Sequence, residues 1–246
     1  MKKIILFLSA TLSLSLAATD AQIKKFYEET FKEQLNKPTL KILKREKVEG
    51  SDFEAVVISL ESDKMKIEDM IFTKGDIIVP DIIDLKKNIS YKQSYEVKKM
   101  LEQKQEFSKK ALNELKKEKM LISLGDSKKP LVYIFSDPEC PYCRMHLKNV
   151  RNDLKTHQIK LILTPVHGLS AFEKSALIYK EIKKAKNDED KIKILEKYYS
   201  EKLPSYTEKS EKGFNVSKKE VEEVVKLYQK YNSLGLSAVP MILEAK

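Results

Sequence analysis

The spacing of apolar and polar positions changes several times along the chain, and each change predicts a different element. Ile23, Phe26, Tyr27, Phe31 and Leu35 recur at three- and four-residue intervals, the pattern of an amphipathic helix capped by Asp20 and running to about Leu35. Runs of strand character follow at about 40–48, 53–60, 66–73 and 77–79. They are divided by Gly50-Ser51-Asp52 and Lys74-Gly75-Asp76, which are turn chemistry, the second suited to a tight hairpin. One helix and four short strands make a small α+β unit ending near Asn88, with a core thin enough that a second copy would complete an edge or face of its sheet. From Ser90 to Leu121 there is no Gly or Pro, and Val97, Met100, Leu101, Phe107, Ala111, Leu112 and Leu115 form a broken apolar stripe. A helix of about 30 residues would span about 45 Å. It reads as a spacer over 90–124 between two domains, the alternative being a helix packed along one domain throughout.

Residues 125–130 break that helix, and Leu131 to Phe135 is an all-apolar run, as in a strand buried on both faces of a parallel sheet. A helix starting at the cysteines and continuing to about His157, then a second apolar strand over 159–166, complete a strand–helix–strand unit whose crossover is right-handed. Helical spacing returns at about 171–186 and 189–202. After a polar loop with Pro204 and Gly213, Ser217 and Glu220 form a capping-box pattern that opens a helix to about Asn232. These helices are an insertion over about 171–232. The last segment, 235–243, is a turn and a strand with Pro240 at its start, a position where proline costs no ladder bond.

Composition adds a compartment. The 246 residues are 41% hydrophobic, enough for a packed core. Residues 1–18 begin with Lys2 and Lys3, continue with an apolar run to about Leu16 and end in small residues. This is the layout of a secretory signal cut after Ala17 or Ala18, or of an uncleaved anchor. No later segment approaches about 20 apolar residues. The net charge of +10 falls to +8 without Lys2 and Lys3. Its basic residues are interleaved with Glu along helices, so it describes a solvated surface rather than a nucleic-acid site.

The chemistry rests on the chain's only two cysteines, Cys140 and Cys143. A two-residue spacer closes almost no loop, so a bond between them would add little stability, and exchange chemistry explains the pair better. Structural zinc wants four ligands, and His146, His157 and His167 do not supply the missing ones. A c-type haem needs His after the second Cys, where Arg144 stands. Neither a metal nor another cofactor is expected. At a strand-to-helix junction the helix N-terminus favours a thiolate, which makes Cys140 the exposed, acidic nucleophile and places Cys143 one turn further in to resolve. Pro141 and Tyr142 tune the sulfur: one restrains the first turn, the other offers an aromatic rim. Ile134 stands six residues before Cys140, so this strand has no buried carboxylate there, and Asp137 and Glu139 are expected to be exposed. Tyr198 and Tyr199 are expected to be the core and surface sides of a helix.

Cys140-Pro141-Tyr142-Cys143 after an apolar strand, a helical insertion, and Val239-Pro240 before a final strand together resemble the thioredoxin-fold redox proteins. With export, a small N-terminal α+β domain and a long helix, the chain resembles more narrowly the DsbC/DsbG family of periplasmic thiol:disulfide interchange proteins. The resemblance implies an α/β, thioredoxin-like catalytic domain over 125–246, a dimerisation domain over 19–89 and a linker helix between them. It also implies that Pro240 is a cis-proline facing the cysteines and that the Val239 backbone pairs with a client strand. Only six residues follow Pro240, which shortens the C-terminus, and Val239 replaces the Thr of better-known members. The implied function is disulfide exchange, as oxidase or isomerase, with cysteine-containing exported proteins. It would be performed by a periplasmic homodimer whose thiols are recycled by a membrane redox partner. The alternative is a redox-independent holdase.

Overall fold

The computed structural model describes residues 17–63, 65–203 and 214–245. All but the last two residues of the expected signal, and the loop with Pro204 and Gly213, lie outside them. The chain divides into two units, one up to Leu101 and the other from Glu102 on.

In the first unit, helix α1 spans Asp20–Phe31, and its cap is Thr19, not Asp20. The Thr19 hydroxyl accepts from the Gln22 N–H, and the Gln22 side chain accepts from the Thr19 N–H, while Asp20 sits in the first turn where the helix dipole favours its charge. Strands β1 (Thr39–Lys47), β2 (Glu54–Ser62), β3 (Met65–Lys74) and β4 (Ile77–Val79) form an antiparallel meander in chain order. Alternation along β2 sends Val56, Ile58 and Leu60 toward Ile23 of α1 and Ala55 and Val57 toward the other face. That second face also holds Phe72 and, from the helix that follows, Tyr91 and Tyr95. A two-residue pair missing from the sequence reading, β5 (Ile83–Asp84) with β6 (Ile89–Ser90), leads into that helix.

Helix α2 spans Tyr91–Leu115, shorter than the expected run to Leu121. The Glu118 carboxylate accepts from the N–H groups of Lys119 and Met120, a local bond that competes with helical pairing. Residues Ile122–Leu124 form strand β7. The expected spacer over 90–124 therefore needs correcting at its far end. Phe107, Ala111 and Leu115 are core residues of the second unit, and β7 is part of its sheet.

That sheet has the order β10-β8-β9-β7, with β8 at Leu131–Ser136, β9 at Gln158–Leu163 and β10 at Met241–Glu244. β8 and β9 are parallel, and the two outer strands run antiparallel to them. The helix after β8 is two pieces, α3 (Pro141–Lys148) and α4 (Val150–Asp153), not one helix to His157. At the break the Asn149 N–H bonds back to the His146 carbonyl, a tighter turn. Helices α5 (Leu169–Ile182), α6 (Asp188–Tyr199) and α7 (Lys218–Ser233) follow, and the Ser217–Glu220 capping box opens the last. Gly125 has φ +86°, and a Cβ there would meet the His157 carbonyl oxygen at 3.1 Å and Leu154 at 2.9 Å, so the turn into β8 admits only glycine.

The core centres on Phe135, whose ring meets Phe107 at 5.2 Å and Tyr231 at 4.9 Å, both edge-on. Phe135→Ala should lower unfolding free energy by about 3–5 kcal/mol, read as a drop in the urea midpoint with an unchanged slope. A drop under about 1 kcal/mol would contradict this packing.

Candidate active site

The carboxyl ends of β8 and β9 lie side by side, because the two strands are parallel and in register through Ser136 and Leu163. Loops leaving that edge converge, as at the ligand-binding edge of open α/β sheets. From β8 the chain turns through Asp137, Pro138 and Glu139 to Cys140, which is the N-cap of α3 with φ −72° and ψ 123°. Pro141 takes the first helical position, where its fixed φ fits and no N–H is needed. Cys143 lies one turn further in. Strand β10 pairs with β8 so that Met241 faces Phe135. That register carries the preceding loop, with its cis Val239–Pro240 bond, to the cysteines. The Cys140 sulfur lies 3.5 Å from the Val239 carbonyl oxygen.

Exposure differs from expectation. Cys140 is 5% exposed and Cys143 1%, whereas Tyr142 is 71% exposed. The nucleophile expected to be open is covered, and the rim residue beside it is open. Both cysteines are free thiols. Burial pushes the Cys143 thiol up to about 12, while the Asp137 N–H, which donates to its sulfur at 3.4 Å, pulls the other way.

The two acidic residues of the turn are buried, which corrects the expectation that they face solvent. The Asp137 side chain is fully covered. One oxygen accepts from the Glu139 N–H at 2.7 Å. The other accepts from the N–H groups of Val166 and His167 at 2.8 and 3.1 Å and lies 2.7 Å from the His167 Nδ1. Asp137 thus ties the turn before the cysteines to the loop after β9. Glu139 accepts from the Ser170 hydroxyl at 2.7 Å and pairs at 2.8 Å with Lys174, whose side chain is fully buried. The same ammonium donates to the Leu203 carbonyl at 2.9 Å and lies 5.8 Å from the centre of the Phe214 ring. His146 lies 3.8 Å from the Asp153 carboxylate.

Sequence reasoning missed His167, Ser170 and Lys174 as partners of the turn that precedes the cysteines. The usable signal was the parallel pairing itself, which places whatever follows β9 beside whatever follows β8. Lys174→Met should destabilise by about 3–5 kcal/mol, because it removes the ammonium that pairs with buried Glu139 at 2.8 Å. Adding Glu139→Gln should recover most of the loss in a urea titration. Equal loss in the single and double variants would mean that the pair is not the cause.

The thioredoxin-like domain family matches residues 117–244. No curated protein matches the chain. Among solved structures, Helicobacter pylori DsbG is 23% identical and covers 92% of this chain and 100% of its own, with a TM-score of 0.48. The thiol-disulfide exchange protein α-DsbA2 from Wolbachia pipientis is 14% identical, covers 58% and 84%, and has a TM-score of 0.38. Proteus mirabilis ScsC in a compact conformation is 14% identical, covers 62% and 86%, and has a TM-score of 0.36. With the family match spanning more than half of its length, the chain belongs to the thioredoxin-like domain family.

Proposed function

We propose that this chain is a periplasmic thiol:disulfide oxidoreductase that exchanges disulfides with cysteine-containing exported proteins. The observation that carries the reading is the meeting of Cys140, at the N-terminus of α3, with the Val239 carbonyl beside cis Pro240, 3.5 Å from its sulfur. An extended client laid along that loop would present its own sulfur to Cys140.

In the reducing direction the Cys140 thiolate attacks a client disulfide. A Cys140–client bond forms and one client thiolate leaves. Cys143 then attacks Cys140, closing the Cys140–Cys143 disulfide and releasing the second client thiol. In the oxidising direction a client thiolate attacks Cys140 and Cys143 leaves. Pro141 fixes the first turn, exposed Tyr142 offers a contact to the client, and Val239 and Pro240 orient it. No atom other than sulfur and proton takes part, so the cycle requires no cofactor. A membrane redox partner resets the thiols, and their state in cells, mostly disulfide or mostly dithiol, separates oxidase from isomerase.

A homodimer through the first unit accompanies this reading. β4 covers only Phe72–Lys74 of β3, so the rest of that edge has no strand beside it among the described residues. Met65 and Ile67 on it are exposed, next to a hollow of about 330 Å³ lined by Tyr27, Phe31, Leu35 and Leu60. Among the described residues no helix is long and apolar enough to cross a membrane.

Two outcomes follow. Cys140→Ser should abolish insulin reduction and oxidative refolding of a scrambled client, and Cys143→Ser should accumulate a client-linked form on non-reducing gels. Full redox activity in Cys140→Ser would refute the assignment, and a holdase would lose nothing in either variant. Ile67→Asp should shift sedimentation equilibrium from dimer to monomer while insulin reduction continues. An intact dimer would place the interface elsewhere.

A further inference from the structure

The packed part of the first unit already includes Ala18, the residue before the cap of α1. Ala18 is 4% exposed and belongs to the core that holds Ile23, Val56 and Ile71. Both of its backbone groups are engaged. Its N–H donates at 3.0 Å to the hydroxyl of Thr73 on β3, a residue with no exposed surface, and its carbonyl accepts at 2.8 Å from the guanidinium of Arg45 on β1. The same guanidinium pairs with Asp20 and Glu54. Ala18 is thus bonded to partners 55 and 27 residues away. Ala17 is half-buried and makes no hydrogen bond among the described residues.

The secretory layout of residues 1–18 leaves two places for a cut, after Ala17 or after Ala18. Removal of a secretory signal favours small residues at the last and third-last positions before the cut. Cutting after Ala17 puts Ala17 and Ser15 there, whereas cutting after Ala18 puts Leu16 at the third-last position. The second cut would also take away a core residue and remove the donor that faces the Thr73 hydroxyl, a group closed to water.

We propose that the chain is cut between Ala17 and Ala18, and that the amino group so formed stays in the fold as the donor to Thr73. The inference rests on the export part of the reading above and not on exchange. A signal-removing peptidase hydrolyses the Ala17–Ala18 bond: the hydroxyl of a water molecule joins the Ala17 carbonyl carbon, and its proton goes to the Ala18 nitrogen. The resulting ammonium has three donors. One keeps the bond to Thr73, and a hollow of about 230 Å³ that Ala18 lines together with Gln22 and Asp76 gives the others access to water. Arg45 and the positive end of α1 oppose a cation at this place, and the carboxylates of Asp20 and Asp76 offset them. Proteolysis needs exposed, unbonded backbone, so the cut comes before α1 closes on the sheet.

The full 246-residue chain is exported in a bacterial host, and the intact mass of the periplasmic product is measured. The product should begin Ala18-Thr19-Asp20. Any other first residue, Thr19 included, or an uncut chain would overturn the proposal. A product cut elsewhere leaves the periplasmic reading standing, whereas an uncut chain retained in the cytoplasm refutes both. Chains 18–246 and 19–246, made without the leader and with the initiator Met removed, are then compared in urea. Loss of Ala18 should raise the unfolding constant about tenfold, for two lost hydrogen bonds. In a Thr73→Val background the gap between the two chains should narrow. Equal midpoints for the two chains, or a gap that Thr73→Val leaves unchanged, would overturn the role given to the Ala18 amine.

Discussion

The candidate site depends on a carboxylate with no access to water. Asp137 is fully covered, and its two oxygens meet three backbone N–H groups and the His167 ring. An unpaired buried carboxylate is costly, and one that gathers several donors is stable only while those donors stay in place. Two stretches are thereby held at once: the turn into α3 and the loop after β9. The same residue's backbone N–H reaches Cys143, and its carbonyl accepts from the Cys140 N–H at 3.2 Å. A single side chain therefore fixes both sulfurs through the chain it bends, without touching either by its charged end.

The helical insertion is bound into this arrangement rather than appended to it. α5 supplies Ser170 and Lys174 to Glu139, and α6 supplies Tyr199 to Ser136. An ion pair this deeply covered adds little net stability, since the cost of removing two charges from water offsets their attraction. Its effect is selective: any arrangement that separates α5 from the turn breaks this pair. The residue immediately before Cys140 is thus locked to an element about 30 residues away in sequence.

How much of this was readable from the sequence follows from the range of each interaction. The cysteine pair, the two parallel strands and the Ser217–Glu220 cap depend on neighbours within a few residues, and periodicity reveals them. Helix ends were read less well, as at Glu118 and Asn149, where a single side-chain bond or a tighter turn overrides composition. Asp137 and Glu139 look solvent-facing in the sequence, since nothing nearby can partner them; His167, Ser170 and Lys174 do so from beyond β9. The loop of Val239, 99 residues away, was placed near Cys140 only by the family resemblance, and not how closely it covers the sulfur.

Helix α2 gives Tyr91 and Tyr95 to one core and Phe107, Ala111 and Leu115 to the other. The two units consequently share an uninterrupted backbone segment with no loop in which to end either one. During synthesis its early turns can settle on a completed sheet while its late turns still await strands not yet made. The stretch of α2 that neither core claims, with the exposed Val97, Met100 and Leu101, is where recombination could exchange one half of the molecule without opening the other.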